Sequence, residues 1–176
     1  MRTFRFGLPG LLAAVAQISC IAIPLAASPA KADTDFLRSL DGRWNGGGMV
    51  LTKINGKRVN IDCDFDMGGQ GASLTMSGSC KTLLVVRRNI AASLKASGNR
   101  YDGTYVGPSG QPSNLSGSQR GNAINLDVHW AHLTNGDRSA VMTIEKMGDN
   151  RLRLQTIDKD LTSGKQIVTT RIELTR

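Results

Sequence analysis

The sequence has 176 residues, of which 40% are hydrophobic and 5% aromatic, and its 22 Lys and Arg against 14 Asp and Glu leave a formal charge of +8. That length suits one domain with one core. The basic residues are scattered in runs no longer than pairs such as Arg87-Arg88, which excludes the positive stripe of a nucleic-acid binder and fits a solvated exterior or weak attraction to anionic lipid or polysaccharide.

Residues 1–32 have the zones of a cleaved secretory signal. Arg2 and Arg5 start it, Leu8 to Leu25 is predominantly apolar but broken by Pro9 and Pro24, and Ala30-Lys31-Ala32 offers small residues where a signal peptidase reads. Cleavage is expected after Ala32. It removes Arg2, Arg5 and Lys31 and no acid, so 19 bases against 14 acids leave +5. At Cys20 a lipoprotein signal would want an aliphatic residue where Gln17 stands. No second segment is long and apolar enough to span a bilayer as a helix. The expected compartment is the periplasm, and there the two remaining cysteines, Cys63 and Cys80, are expected to pair as a structural disulfide.

Taken in order, Asp33 to Asp41 places Phe36, Leu37 and Leu40 at helical spacing over barely two turns, a short helix closing one end of the fold. Leu40 to Asp66 reads as an opening hairpin turning at Asn55-Gly56, whose return strand sets Ile61, Cys63, Phe65 and Met67 on one face and Asp62, Asp64 and Asp66 on the other. Gly68-Gly69-Gln70-Gly71 reads as a loose turn before a strand from Ala72 to Ser79, and Thr82 to Val86 fits either a strand or a buried helical turn. Further strands follow at Asn89–Ala96, Arg100–Val106 and Pro112–Ser118. In Ala123–Trp130, Ile124, Leu126, Val128 and Trp130 alternate with Asn125, Asp127 and His129. Asn135-Gly136 is a tight turn into Ser139–Lys146, and the last strands are Arg151–Asp158, with Leu152 and Leu154 inward, and Gln166–Leu174. Ten strands joined mostly by short turns predict an all-β, antiparallel up-and-down barrel over 33–176, in preference to a sandwich, because closure removes exposed edges. The 20 glycines of the chain suit the sharp coiling of such strands.

Gly42-x-Trp44 after a short helix resembles the opening of the calycin superfamily, the lipocalins and their relatives, and Gly42-x-Trp44-x-Gly46-x-Gly48 is similar to the start of the nitrobindin-like, ten-stranded members. The resemblance implies an arginine from a late strand lying across Trp44, for which Arg171 or Arg153 is the candidate. In nitrobindin-like proteins it also implies haem held by a late histidine; no histidine follows His132, and no cofactor is expected. A second resemblance, through Gly-x-Trp, a compact barrel and one disulfide, is to small periplasmic inhibitors of secreted metalloproteases.

The residues themselves point to binding and not to catalysis. Asp62, Asp64 and Asp66 stand about 7 Å apart along one strand face, but Met67 and Ser73 occupy the positions where a calcium loop of the EF-hand kind needs glycine and glutamate. No metal is expected there. Asp127, His129 and His132 lack a positioned nucleophile or a third strong zinc ligand, so no catalytic residue is assigned. The candidate lumen residues are Trp44, Phe65, Met76, Leu126, Val128, Trp130 and Met142, with Met49 or Val50 beside them. With so few aromatics the expected partner is a small apolar or amphipathic molecule such as an acyl chain, held in or at the mouth of the barrel. The alternative is a filled barrel that acts as a protein-interaction module, an inhibitor or an envelope-integrity factor.

Overall fold

The structure, a computed structural model, describes residues 30–82 and 86–176, with side chains from residue 34 onward. Most of the expected signal, residues 1–29, lies outside the described residues, as do residues 83–85 of the ambiguous run after Thr82. Helix α1 (Ala30–Ser39) is followed by ten strands: β1 (Gly42–Leu51), β2 (Arg58–Gln70), β3 (Ser73–Thr82), β4 (Arg87–Ser97), β5 (Arg100–Val106), β6 (Pro112–Arg120), β7 (Ala123–Thr134), β8 (Asp137–Lys146), β9 (Arg151–Lys159) and β10 (Gln166–Thr175). Each strand pairs antiparallel with its chain neighbours, and β1 closes on β10, so the sheet is a complete barrel with no free edge. No described helix is long and apolar enough to cross a membrane.

Alternation decides which side chains fill the interior. Cys63, Phe65 and Met67 on β2, and Ile124, Leu126 and Val128 on β7, are buried, while Asp62, Asp64, Asp66, Asp127 and His129 between them face outward. Inward glycines let the sheet coil tightly: a Cβ on Gly46 would lie 2.1 Å from the Glu173 carbonyl oxygen, and one on Gly48 would lie 1.9 Å from that of Arg171. Glycine is required at both positions by the approach of β10.

Trp44 is the keystone of the helix end. It is fully buried, and its Nε1 donates to the Leu40 carbonyl at 2.8 Å. The guanidinium of Arg176 lies 4.7 Å from the ring centroid and donates to the Asp41 carbonyl at 2.7 Å. Neither Arg171 nor Arg153 crosses the indole. The β1–β10 register sets Arg171 opposite Met49 and Thr175 opposite Asn45, so Arg176 is the arginine next to Trp44; Arg171 instead donates to Gln155, and Arg153 pairs with Glu145 and Glu173. Above Trp44, α1 packs on β2, β3 and β4 through buried Phe36 and Leu37.

Two turns differ from expectation, and a third is reached by a longer strand than expected. Leu51 pairs with Arg58, which leaves a six-residue loop where a two-residue Asn55-Gly56 turn was expected. The tight bend in it runs from Lys53 to Gly56 through a 2.8 Å amide bond, and the Ile54 amide is drawn to the Asn135 side chain at 3.1 Å across the barrel end, which a two-residue turn would not reach. Gly68, Gly69 and Gln70 belong to β2, where Gly69 lets α1 approach: a Cβ there would lie 2.4 Å from the Leu37 carbonyl oxygen. The turn itself is carried by Gly71, at φ +56°. Asn135-Gly136, with φ of 55° and 104°, is the expected two-residue hairpin, but β7 reaches it by running on through His132 to Thr134.

Cys63 and Cys80 are directly opposed on β2 and β3 and form a buried disulfide with sequence separation 17. Replacing both by serine is expected to lower the unfolding free energy by about 2–4 kcal/mol. Urea melts of the wild type with and without reductant measure it, and superimposable curves would deny the bridge any part in stability.

Candidate functional site

The barrel interior is not completely filled. A cavity of about 200 Å³ runs from Leu40 at the helix end to Leu51, Thr52, Thr134 and Asn135 at the other. Of the expected lumen residues, Phe65, Met76, Leu126, Trp130 and Met142 line it. Trp44 and Val128 do not: Trp44 is sealed into the base, and Val128 is buried in the wall between its register partners Leu115 and Ala140. Met49 and Val50 are also off the cavity, because β1 contributes its last residue, Leu51.

Two irregularities aim polar side chains at the cavity. In β10 the pairing with β9 skips from Val168 to Thr170, leaving Thr169 as the extra residue of a bulge. Its side chain turns inward, and its hydroxyl donates to Asp158 Oδ2. Asp158 and Thr169 are only 3% and 5% exposed, and both line the cavity. In β7 the register with β8 is irregular between His129 and Thr134, and the Ala131 amide donates to the buried Ser113 Oγ at 3.1 Å. That bond anchors the backbone next to Trp130, whose ring meets Tyr105 edge-on at 6.0 Å and 69°.

The wall is therefore apolar with a few placed polar groups. Among the described residues Asp158 is its one carboxylate, and no lysine, arginine or histidine lines it. Among the described residues two buried polar atoms in the wall have no hydrogen-bond partner, Asp158 Oδ1 and Trp130 Nε1. Burial pushes the Tyr105 phenol up to about 12. Because the folded value lies above the ordinary 10, the stability linked to Tyr105 is complete below pH 10 and lost as pH rises toward 12. Absorbance titration at 295 nm is expected to show a late phenolic step there; ionisation of all tyrosines near pH 10 would contradict it.

The other sequence candidates lie outside. Asp62, Asp64 and Asp66 are exposed, with Asp66 accepting from Arg43 Nε at 3.1 Å, a surface pair of little energetic weight. Asp127 and His129 sit in a shallow outer groove with Ser116, Ser139 and Lys159, and His132 is exposed. Among the described residues no three His, Cys, Asp or Glu side chains form a metal-binding group.

Asp158 is the residue that sequence reading missed. Its signal was present: it continues the inward phase of Leu152, Leu154 and Thr156. A carboxylate at the end of a strand reads as a solvated terminus unless that phase is followed to the last residue.

No family model matches the chain, and no curated protein matches it either. Among solved structures, it is similar to the crystal structure of Rv2717c from M. tuberculosis, with TM-score 0.63 and 14% identity over 82% of this chain and 96% of that one. Likeness at that identity concerns the fold: both are barrels of the same kind.

Proposed function

We propose that the chain is an exported, periplasmic binding protein of calycin kind, cleaved after Ala32, that takes a small amphipathic molecule into its barrel without transforming it. The observation that carries this reading is the apolar cavity of about 200 Å³ inside a closed sheet. An apolar cavity of about 150 Å³ stays dry and takes up benzene, so this volume suits a single ring or a short chain better than a long acyl tail. Met67, Met76 and Met142 in the wall supply flexible, polarisable contacts that adjust to ligand shape.

The test is a neutral probe of the right size. Toluene in large excess over its dissociation constant is expected to raise the stability of the wild type by about 2–3 kcal/mol, as mass action requires at about a hundredfold excess. Ala92, which lines the cavity, provides the control: Ala92→Phe fills the space and should abolish the effect while the far-UV spectrum is unchanged. A wild type that ignores toluene would reject the reading.

A second reading, a protein-interaction module such as a protease inhibitor, rests on Leu133 and Leu161, which are 72% and 53% exposed beside the Asn135-Gly136 turn, with Leu161 Cδ1 3.1 Å from where a Gly136 Cβ would stand. On that reading Leu133→Ser with Leu161→Ser weakens inhibition of a secreted metalloprotease and leaves toluene binding alone; inhibition that survives both changes rules it out. Phe36 and Leu37 offer less for this role, since both are core residues and not a free inhibitory tail.

A further inference from the structure

The structure assigns the polar end of the cavity to a cation: we infer that the ligand carries an ammonium group which docks on Asp158 Oδ1, with its apolar body against Met76, Met142 and Leu126. The inference rests on the binding reading above and deepens it.

Asp158 is 97% removed from solvent, holds one hydrogen bond through Oδ2 to the Thr169 hydroxyl, and leaves Oδ1 buried with no donor. Among the described residues it has no ion-pair partner. A buried carboxylate with half of its acceptor capacity unused and no compensating charge is costly to maintain, and a chain that needed only a filled core would place an apolar residue at this phase of β9. Thr169 stands beside it because β10 bulges there, and bulges of this type commonly re-aim a side chain at a functional site.

The wall also selects the sign of the ligand. With no lysine, arginine or histidine among its described residues, the wall offers a fatty-acid or phosphate head no counter-charge, whereas an ammonium brings up to three donors to the unpartnered Asp158 oxygen. Trp130 and Tyr105 in the same wall present aromatic rings, whose negative faces favour cations over anions. Trp130 Nε1, also unpartnered, remains for an acceptor atom of the same ligand.

Four probes of one size separate the possibilities: benzylamine, benzyl alcohol, toluene and benzoate, titrated calorimetrically at pH 7 into the wild type and Asp158→Asn. Benzylamine is expected to bind the wild type about tenfold or more tighter than toluene, in line with a hydrogen bond to a charged partner, and benzoate weaker than toluene. In Asp158→Asn the amine should fall to the affinity of the alcohol while toluene is unchanged. If Asp158→Asn does not fold, the wild-type ranking decides alone. Toluene binding with no preference for benzylamine, or a preference that survives in Asp158→Asn, overturns the inference and leaves the cavity reading standing. If no probe binds, the cavity reading itself fails and the inference falls with it.

Discussion

Trp44→Ala is expected to lower the unfolding free energy by about 3–5 kcal/mol, the range for truncating a large buried aromatic. The indole is fully buried at the helix end, bonded to the Leu40 carbonyl and covered by Arg176. Removing it leaves a void beneath Leu40, which is also the floor of the cavity. For a domain whose total stability is about 5–15 kcal/mol, that loss approaches unfolding at growth temperature. Arg176→Ala separates the parts. It removes an exposed cation–π contact and two carbonyl bonds, to Ser39 and Asp41, but leaves the indole in place, so its cost should stay near 1–2 kcal/mol. Urea unfolding followed by circular dichroism gives both values. A Trp44→Ala cost below that of Arg176→Ala would show that the indole is not the keystone.

The second large effect is at Gly48. A Cβ there would sit 1.9 Å from the Arg171 carbonyl oxygen and 2.7 Å from the Ile172 Cα, both backbone atoms of the strand that closes the barrel. No rotamer relieves such a clash, so β1 and β10 must separate locally, and Gly48→Val is expected to cost about 3 kcal/mol or more, the upper range for overpacking. Gly98→Ala is the contrast. That glycine has φ +59° but nothing within 4 Å of a Cβ, so the penalty is conformational only, about 1–2 kcal/mol. The two melts compared on one day test whether closure of β1 on β10 depends on contact or on turn conformation. Equal costs would contradict the contact argument.

Much of the barrel was legible because its strands obey a period of two. Ile124, Leu126 and Val128 are buried between exposed Asp127 and His129 as the alternation requires, and the pairing of Cys63 with Cys80 follows from two inward positions on adjacent strands. What escaped the sequence depends on register across the closure. Arg176 reaches Trp44 only because Thr175 pairs with Asn45, a relation between the two ends of the chain that no local pattern encodes. The bulges at Thr169 and after His129 escaped for the same reason, since one extra residue in a strand is visible only against its partner. The width of the Thr52–Lys57 loop likewise reflects a bond to Asn135 made in the folded state alone. Of the seven lumen residues, the five on the cavity and the two off it share the same inward phase, and Trp44 and Phe65 are register partners on β1 and β2; which of two inward side chains reaches the open space is not a property of phase.

The central claim, that a ligand-sized space inside the barrel admits a small molecule, is tested most directly with methyl-labelled methionine. Met67, Met76 and Met142 line the cavity, while Met49 and Met147 do not. On titration with benzylamine or toluene the methyl resonances of Met67, Met76 and Met142 should move together and saturate with one dissociation constant, and those of Met49 and Met147 should stay fixed. Saturable shifts confined to Met49 and Met147, or no saturable shift at any methionine, would contradict the account.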